Sequence, residues 1–358
     1  MSDDFVRQLP NWQPGLRGRT GDFNWFNLDP LLLLIIASIV SFGLVILYSA
    51  ADGQIEVLRA QLLRFALGFG LMVVLAQIPP YFYLRLAPWL YLVGLVLLIL
   101  TYPFGTEVNG SKRWLRVPGL INFQPSELMK IFLPLVLAWY FNDRHLPPKP
   151  KYIFISGVLC LLPAALIYGQ PDLGTALIIA ASGLILLVLA GLPWRYFVWS
   201  GLSLVAAAPV LWFLIRDYQR QRILTLLDPE RDPLGAGWNI IQSKIAIGSG
   251  GFSGKGLFNG TQAHLDFLPE SQTDFIIAVL AEELGFIGVA SLLLGYGLLI
   301  LRGLLISLNA QDTFGRLLCG SITFTFSVYV FVNIGMVSGI LPVVGVPLPL
   351  VSYGGTSL

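Results

Sequence analysis

The sequence predicts an all-α polytopic membrane protein with nine spanning helices and one large loop between the seventh and the eighth. Three observations predict it. The 358 residues are 56% hydrophobic and only 12% charged, against roughly 45–50% and about 25% in average soluble domains. Mean hydropathy is +0.75. The apolar residues gather in runs near the ~20 residues that a helix needs to cross a bilayer.

The first run is 30–51, with Asp29 placed as its N-cap and Pro30 suited to the first helical position. Further runs follow at 62–78, 86–102, 127–140, 152–168, 174–192, 197–215, 275–301 and 317–340. Pro79-Pro80, Pro147-Pro148, Pro171 and Pro193 mark hinges between several of them. Residues 1–27 are polar and aromatic, with Asp3 and Asp4 ahead of any apolar run, and read as a cytoplasmic N-terminal segment rather than a signal peptide. The remainder, 28–358, reads as one transmembrane domain.

Two hydrophilic segments are long, 104–123 and 216–273, and the second is large enough to shape a substrate site. With the N-terminus inside, Arg7, Arg17, Arg19, Arg85, Arg144, Lys149, Lys151, Arg195, Arg302 and Arg316 fall on the cytoplasmic side, as the positive-inside bias favours. Both long segments are then extracytoplasmic. Within the second, Trp238, Ile241 and Ile245 recur at helical spacing opposite Asn239, Gln242 and Lys244. That pattern predicts an amphipathic helix lying on the membrane surface or against the bundle.

Composition excludes several classes. A net charge of +2 gives no reason to expect nucleic acid. Cys160 and Cys319 lie in apolar runs without a disulfide or redox pattern, and His145 and His264 lack the neighbours of a zinc site. The stretch GSGGFSGKG, 248–256, invites a phosphate-loop reading and fails it. Ser249 stands where a Walker loop has its first glycine, Gly256 where it has Ser or Thr, and Ser253 breaks the dinucleotide pattern. A connector, or a loop whose amides approach a substrate phosphate, are the readings left.

Ionisable residues near apolar runs are the site candidates, because charge inside lipid is costly. Lys112-Arg113-Trp114-Leu115-Arg116 and the Arg220/Arg222 cluster offer guanidinium forks suited to phosphate, or simply solvated faces. Glu127 and Lys130, three apart, share a helix face as a structural pair or as part of a site. Asp172 in QPDLG reads as an N-cap. Asp274 closes Ser271-Gln272-Thr273-Asp274, a capping-box pattern, which by itself favours a helix-start role. Glu282 and Glu283 follow it by eight and nine residues, about 12–13 Å deeper along one continuous helix, and predict a polar cavity in the bundle.

The stretch NIGMVSGILPVVGVPLPLVSYGGTS, 333–357, resembles the signature of the SEDS family (shape, elongation, division, sporulation). FQPSELMK, QPDLGTA, DYQRQRI, DPLGAGWNIIQSKIAIGSGG and LPESQTDFIIAVLAEELG are similar to its other blocks, and the similarity runs from about residue 28 to the end, closest to the RodA-like elongation branch. The resemblance implies a polymerase of lipid II, building peptidoglycan glycan strands at the outer face of the bacterial plasma membrane during elongation. It implies a class B penicillin-binding protein as partner, together with other membrane proteins of the elongation complex. It matches the family's essential aspartate to Asp274 and other important positions to Trp114, Glu127, Lys130 and Glu282. The family has ten spanning helices, the last after SYGG, and this sequence ends at Leu358.

That chemistry needs a sugar hydroxyl to attack an anomeric carbon and expel a lipid pyrophosphate. A carboxylate base helps, and Asp274 is the candidate. The pyrophosphate leaves without a proton if cations hold it. Arg113, Lys130, Arg220 and Arg222 are candidates for that role, with Lys244 as a further basic residue and a divalent cation (Mg or Mn) as helper. Glu282 and Glu283 are assigned to the polar interior. A precursor transporter is the alternative, since it also needs a polar cavity and broken helices, but it does not need an acid at one interface. A non-catalytic scaffold needs neither.

Overall fold

A computed structural model describes residues 27–108, 111–116, 122–214, 217–232, 235–265 and 267–355. The expected cytoplasmic segment therefore lies, but for Asn27, outside the described residues, as do Arg216, Asp266 and the last three positions. All nine apolar runs are helices: α1 (Pro30–Ala50), α2 (Ile55–Gln77), α3 (Pro80–Phe104), α4 (Pro125–Asn142), α5 (Pro150–Gly169), α6 (Leu173–Leu189), α7 (Trp194–Leu214), with α8 to α10 between α7 and the last two. Those intervening helices are α8 (Asp217–Leu227), α9 (Ala236–Gly250) and α10 (Thr261–His264); α11 (Ile276–Asn309) and α12 (Thr313–Val337) complete the series. Asp29 caps α1 as expected, accepting from the amide of Leu32 at 2.8 Å.

Among the described residues, six helices are long and apolar enough to cross a membrane: α1, α2, α3, α5, α11 and α12. α6 is apolar but has 17 residues. α4 and α7 carry charged and polar residues in their first turns and fall outside the six.

The fold is not wholly helical. Between α3 and α4 lies a three-stranded antiparallel sheet, β1 (Thr106–Val108), β2 (Ser111–Arg116) and β3 (Asn122–Phe123). Thr106 pairs with Trp114 and Leu115 with Phe123. A segment that leaves the bundle must satisfy its peptide groups locally, and a short ladder does so. The ladder also fixes which way Arg113 and Trp114 project.

The buried face of α9 differs from the one its apolar spacing predicts. Ile240, Ser243 and Ala246 are buried, while Ile245 is 46% exposed. The helix packs on α11 through small and polar side chains because the approach is close. A Cβ at Gly250 would sit 1.9 Å from the carbonyl oxygen of Ala281. The outward apolar residues are then free to meet lipid.

α11 is broken. Gly285 has φ 62 and ψ −157, a conformation open almost only to glycine. The glycine-rich segment 248–256 splints the break. The amides of Lys255 and Gly256 donate to the carbonyls of Glu282 and Glu283 at 3.0 and 2.8 Å. The amides of Phe286 and Ile287 donate to the carbonyls of Gly251 and Phe252 at 3.0 and 3.2 Å. Groups that the break frees from intrahelical pairing are thus satisfied by the loop, as a water-poor setting demands. The loop is more than a plain connector, since the amides of Lys255 and Gly256 are spent on the break.

α1 is antiparallel to the long half of α11. Asp29 pairs with Arg302, Ile39 lies beside Gly295, and Ser49 donates to Glu283 at 2.7 Å. Glu283 therefore sits level with the last turn of α1. Thr273 is held by Ser352, whose neighbour Val351 lies against Gly43 about two turns earlier on α1. The corner at Gly285 comes after both glutamates and sets 276–284 apart from the direction of the long half, and these contacts place Glu282 and Glu283 no deeper than Asp274 along α1. The packing has two centres, one of α1, α9, α11, α12 and residues 348–351, the other of α3 to α6 with the start of α12. The site lies between them.

Candidate active site

A cleft of about 360 Å³ opens between the two centres, lined by β2, the starts of α4 and α6, the turn before α11, α12 and residues 344–347. It brings together Arg113, Trp114, Glu127, Lys130, Asp172 and Asp274, six of the residues singled out from the sequence.

Asp172 resolves as a cap and a site residue at once. Its Oδ1 accepts from the Thr175 amide at 3.2 Å, capping α6. Its Oδ2 accepts from Thr175 Oγ1 at 3.0 Å, from Gln124 Nε2 at 3.2 Å and from Arg113 Nη1 at 3.1 Å. Arg113 is thus carried in by β2 and aimed by the cap of α6. Lys130 and Glu127 form the expected i,i+3 pair, Nζ lying 2.6 and 2.7 Å from the two carboxylate oxygens. Lys130 Nζ is also 4.7 Å from the centre of the Tyr329 ring, a cation–π geometry.

Asp274 is not a cap. α11 begins at Ile276 with Phe275 at the cap position and no side-chain cap bond. The carboxylate faces the cleft, and a Cβ on Gly345 would stand 3.3 Å from its Oδ2. Burial pushes its pKa up to about 6, the neighbouring Glu270 adds to the rise, and Arg113 opposes it. Glu270 also lines the cleft and accepts from Thr273 Oγ1 at 2.6 Å.

Five predicted residues lie elsewhere. Arg220 donates to the Trp212 carbonyl at 2.9 Å and stacks over that ring, so it serves the α7–α8 corner. Arg222 follows on the same short helix and does not line the cleft. Lys244 lies across Gly339, on the α9 side of the bundle. Glu282, fully buried, accepts from Lys255 Nζ at 2.6 Å, from the Thr261 amide at 2.8 Å and from Thr261 Oγ1 at 2.9 Å. Glu282 and Glu283 are buried among polar partners, Glu282 held by the splint loop and Glu283 by Ser49, and neither lines the cleft.

Tyr329, Gln124, Thr175 and Tyr353 line the cleft and were not singled out. Tyr329 had a signal: it lies four residues before Asn333 in an otherwise apolar run, on the same helix face. The others are uncharged and carry none.

Among the described residues that line the cleft, four carboxylates face two cations, and both cations are already paired. No group of three potential metal ligands occurs among the described residues. Asp274 and Glu270, neighbours without a cation of their own, fit a hard divalent ion only as a partial donor set that phosphate and water would complete.

The comparisons with known proteins agree on one family. The model of the FtsW, RodA and SpoVE family, described as "Cell cycle protein", matches residues 29–358. The peptidoglycan glycosyltransferase MrdB of Escherichia coli (strain K12) is 52% identical over 333 residues, covering 93% of this chain and 90% of the relative. A chain from a solved peptidoglycan synthase complex, in which polymerization and crosslinking are coordinated, has a TM-score of 0.82 and 34% identity, covering 93% of this chain and 94% of the other. The rod shape determining protein RodA of Thermus thermophilus has a TM-score of 0.70 and 32% identity, covering 94% and 93%.

Proposed function

This chain belongs to the FtsW, RodA and SpoVE family of cell cycle proteins, and we propose that its cleft polymerises lipid II into the glycan strands of peptidoglycan. It is a multi-pass membrane peptidoglycan glycosyltransferase. Asp274 is the general base. It takes the proton of the acceptor sugar hydroxyl as that oxygen bonds to the anomeric carbon of the donor. The bond from that carbon to the lipid pyrophosphate breaks, and the pyrophosphate departs with its electron pair. A carboxylate with a pKa near 6 is ionised at neutral pH, yet basic enough to help a weak nucleophile.

Arg113 and Lys130 are the cations for the leaving group. Each already neutralises a carboxylate, so the cleft holds no excess positive charge for a pyrophosphate. A divalent ion, Mg or Mn, would rest on Glu270 with phosphate oxygens and water and supply charge to the phosphates, leaving Asp274 free to take the proton. Trp114 and Tyr329 offer aromatic surface to the sugar.

We place the Asp29–Arg302 end of the bundle in the cytoplasm and the cleft outside. The basic residues Arg302 and Arg316 near that end support this. On this placement α4, α6 and α7 also span, giving nine spans in a single domain from residue 28, with 216–273 as its extracytoplasmic segment. A class B penicillin-binding protein is the partner, a reading supported by the peptidoglycan synthase complex among the structural neighbours.

The observation that carries the assignment is one acid, free of hydrogen bonds from the described residues, set beside two basic residues in a cleft. Purified protein given lipid II tests it. Wild type should yield polymer, and Asp274→Asn should yield none while remaining folded. Near-normal synthesis by Asp274→Asn would remove the base, and translocation without polymer would support a transporter.

A further inference from the structure

The peptide carrying Asp274 precedes α11, so no helix sets its backbone. Its carboxylate accepts no hydrogen bond from the described residues. Its position is fixed instead through three successive carbonyls. The Tyr353 amide donates to the Gln272 carbonyl at 2.9 Å. The hydroxyl of Ser352 donates to the Thr273 carbonyl. Asn333 Nδ2 donates to the Asp274 carbonyl at 2.9 Å and to the Val346 carbonyl at 2.7 Å.

The donors are themselves held. Ser352 Oγ accepts from the Leu348 amide at 2.8 Å, and Gln61 brackets the strap by accepting from the Gly354 amide at 3.1 Å and donating to the Ser352 carbonyl at 3.3 Å. Ser352 and Asn333 are both fully buried. A hydrogen bond in a water-poor interior is costly to leave unmade, which makes each a stiff restraint.

We propose that Asn333 and Ser352 are positioning residues that set the reach of Asp274 toward the acceptor hydroxyl by clamping its peptide backbone. This rests on the reading of Asp274 as the base. Neither side chain touches substrate. Their effect falls on the alignment of the proton transfer, where a displacement near 1 Å can lower the rate about 100-fold. A purely structural role would lower the folded fraction and leave each folded molecule as active as before.

The test measures kcat and KM for lipid II, with melting temperature in detergent, for Asp274→Asn, Ser352→Ala, Ser352→Thr and Asn333→Leu in the full chain. We expect Ser352→Ala and Asn333→Leu to lose about 10–100-fold in kcat per folded molecule, with KM within about twofold of wild type. Ser352→Thr keeps the hydroxyl and should recover most of the loss. If Ser352→Ala fails to fold, Ser352→Cys carries the measurement with a similar shape and a weak donor. Unchanged kcat per folded molecule in the alanine (or cysteine) and leucine variants overturns the proposal while leaving Asp274 as base. A threonine variant as poor as alanine overturns it too. An active Asp274→Asn overturns the base reading and with it any need for the clamp.

Discussion

Asp274 combines burial with a like-charged neighbour, and both raise its pKa toward 6. On the proposed role the base works ionised, so the initial rate should fall about tenfold per pH unit below that value and level off above it. For stability the sign is opposite. A carboxyl whose folded pKa lies above its unfolded value binds protons more tightly when folded, so ionising it costs stability as pH rises through about 4 to 6. The other titratable groups facing the cleft are Glu270, Arg113, Glu127, Lys130, Asp172, Tyr329 and Tyr353. Of these, Glu270 is the largest charged cause of the rise. Glu270→Gln should therefore move the acidic limb of the rate profile to lower pH. An unmoved limb would show that burial alone sets it. At this scale the sequence was only partly legible. Asp274 was singled out by family resemblance, since its local pattern favoured a cap. Arg113, Lys130 and Asp172 were visible as charges beside apolar runs. Tyr329 and Gln124 escaped because a neutral side chain costs little to bury once it is bonded.

Element positions were legible because long apolar runs and prolines mark them, and the nine predicted runs fall in nine helices, although α2 begins at Ile55 where the run begins at 62 and α11 reaches Asn309 where the run stops at 301. The sheet was not, since strands as short as two to six residues are made by their pairing and not by local preference. The break in α11 was also hidden. Gly285 follows Glu282, Glu283 and Leu284 in what reads as an ordinary helix, and only the loop that enters from 251–256 explains it. For the same reason, rise along a straight α11 does not give the depth of the two glutamates. A Cβ at Gly285 would meet the Gly254 nitrogen at 2.4 Å, on top of a backbone conformation that costs a non-glycine residue about 1–3 kcal/mol. Gly285→Ala should lower the melting temperature and loosen the splint, making 251–262 more open to hydrogen exchange. Unchanged melting and exchange would separate the loop from the break.

Across the whole molecule the cleft sits where two packing centres meet, and its walls come from segments far apart in sequence. α2 is attached lightly, with Gln61 its only buried residue, so much of the bundle's flank is available to lipid or to a partner helix. We expect a class B penicillin-binding protein, co-purified with this chain, to dock on the lipid face and outer loops and to raise the polymerisation rate. An unchanged rate in the complex would sink that expectation. The clamp on Asp274 has a consequence for biosynthesis. Thr273 and its clasp Ser352 are 79 residues apart, roughly 4–16 s of translation at about 5–20 residues per second. During that interval the nascent chain can place α1 to α11 in the membrane while its acid is still unfixed. On the proposed clamp, full activity comes only once Ser352 has been made and has folded back onto Thr273.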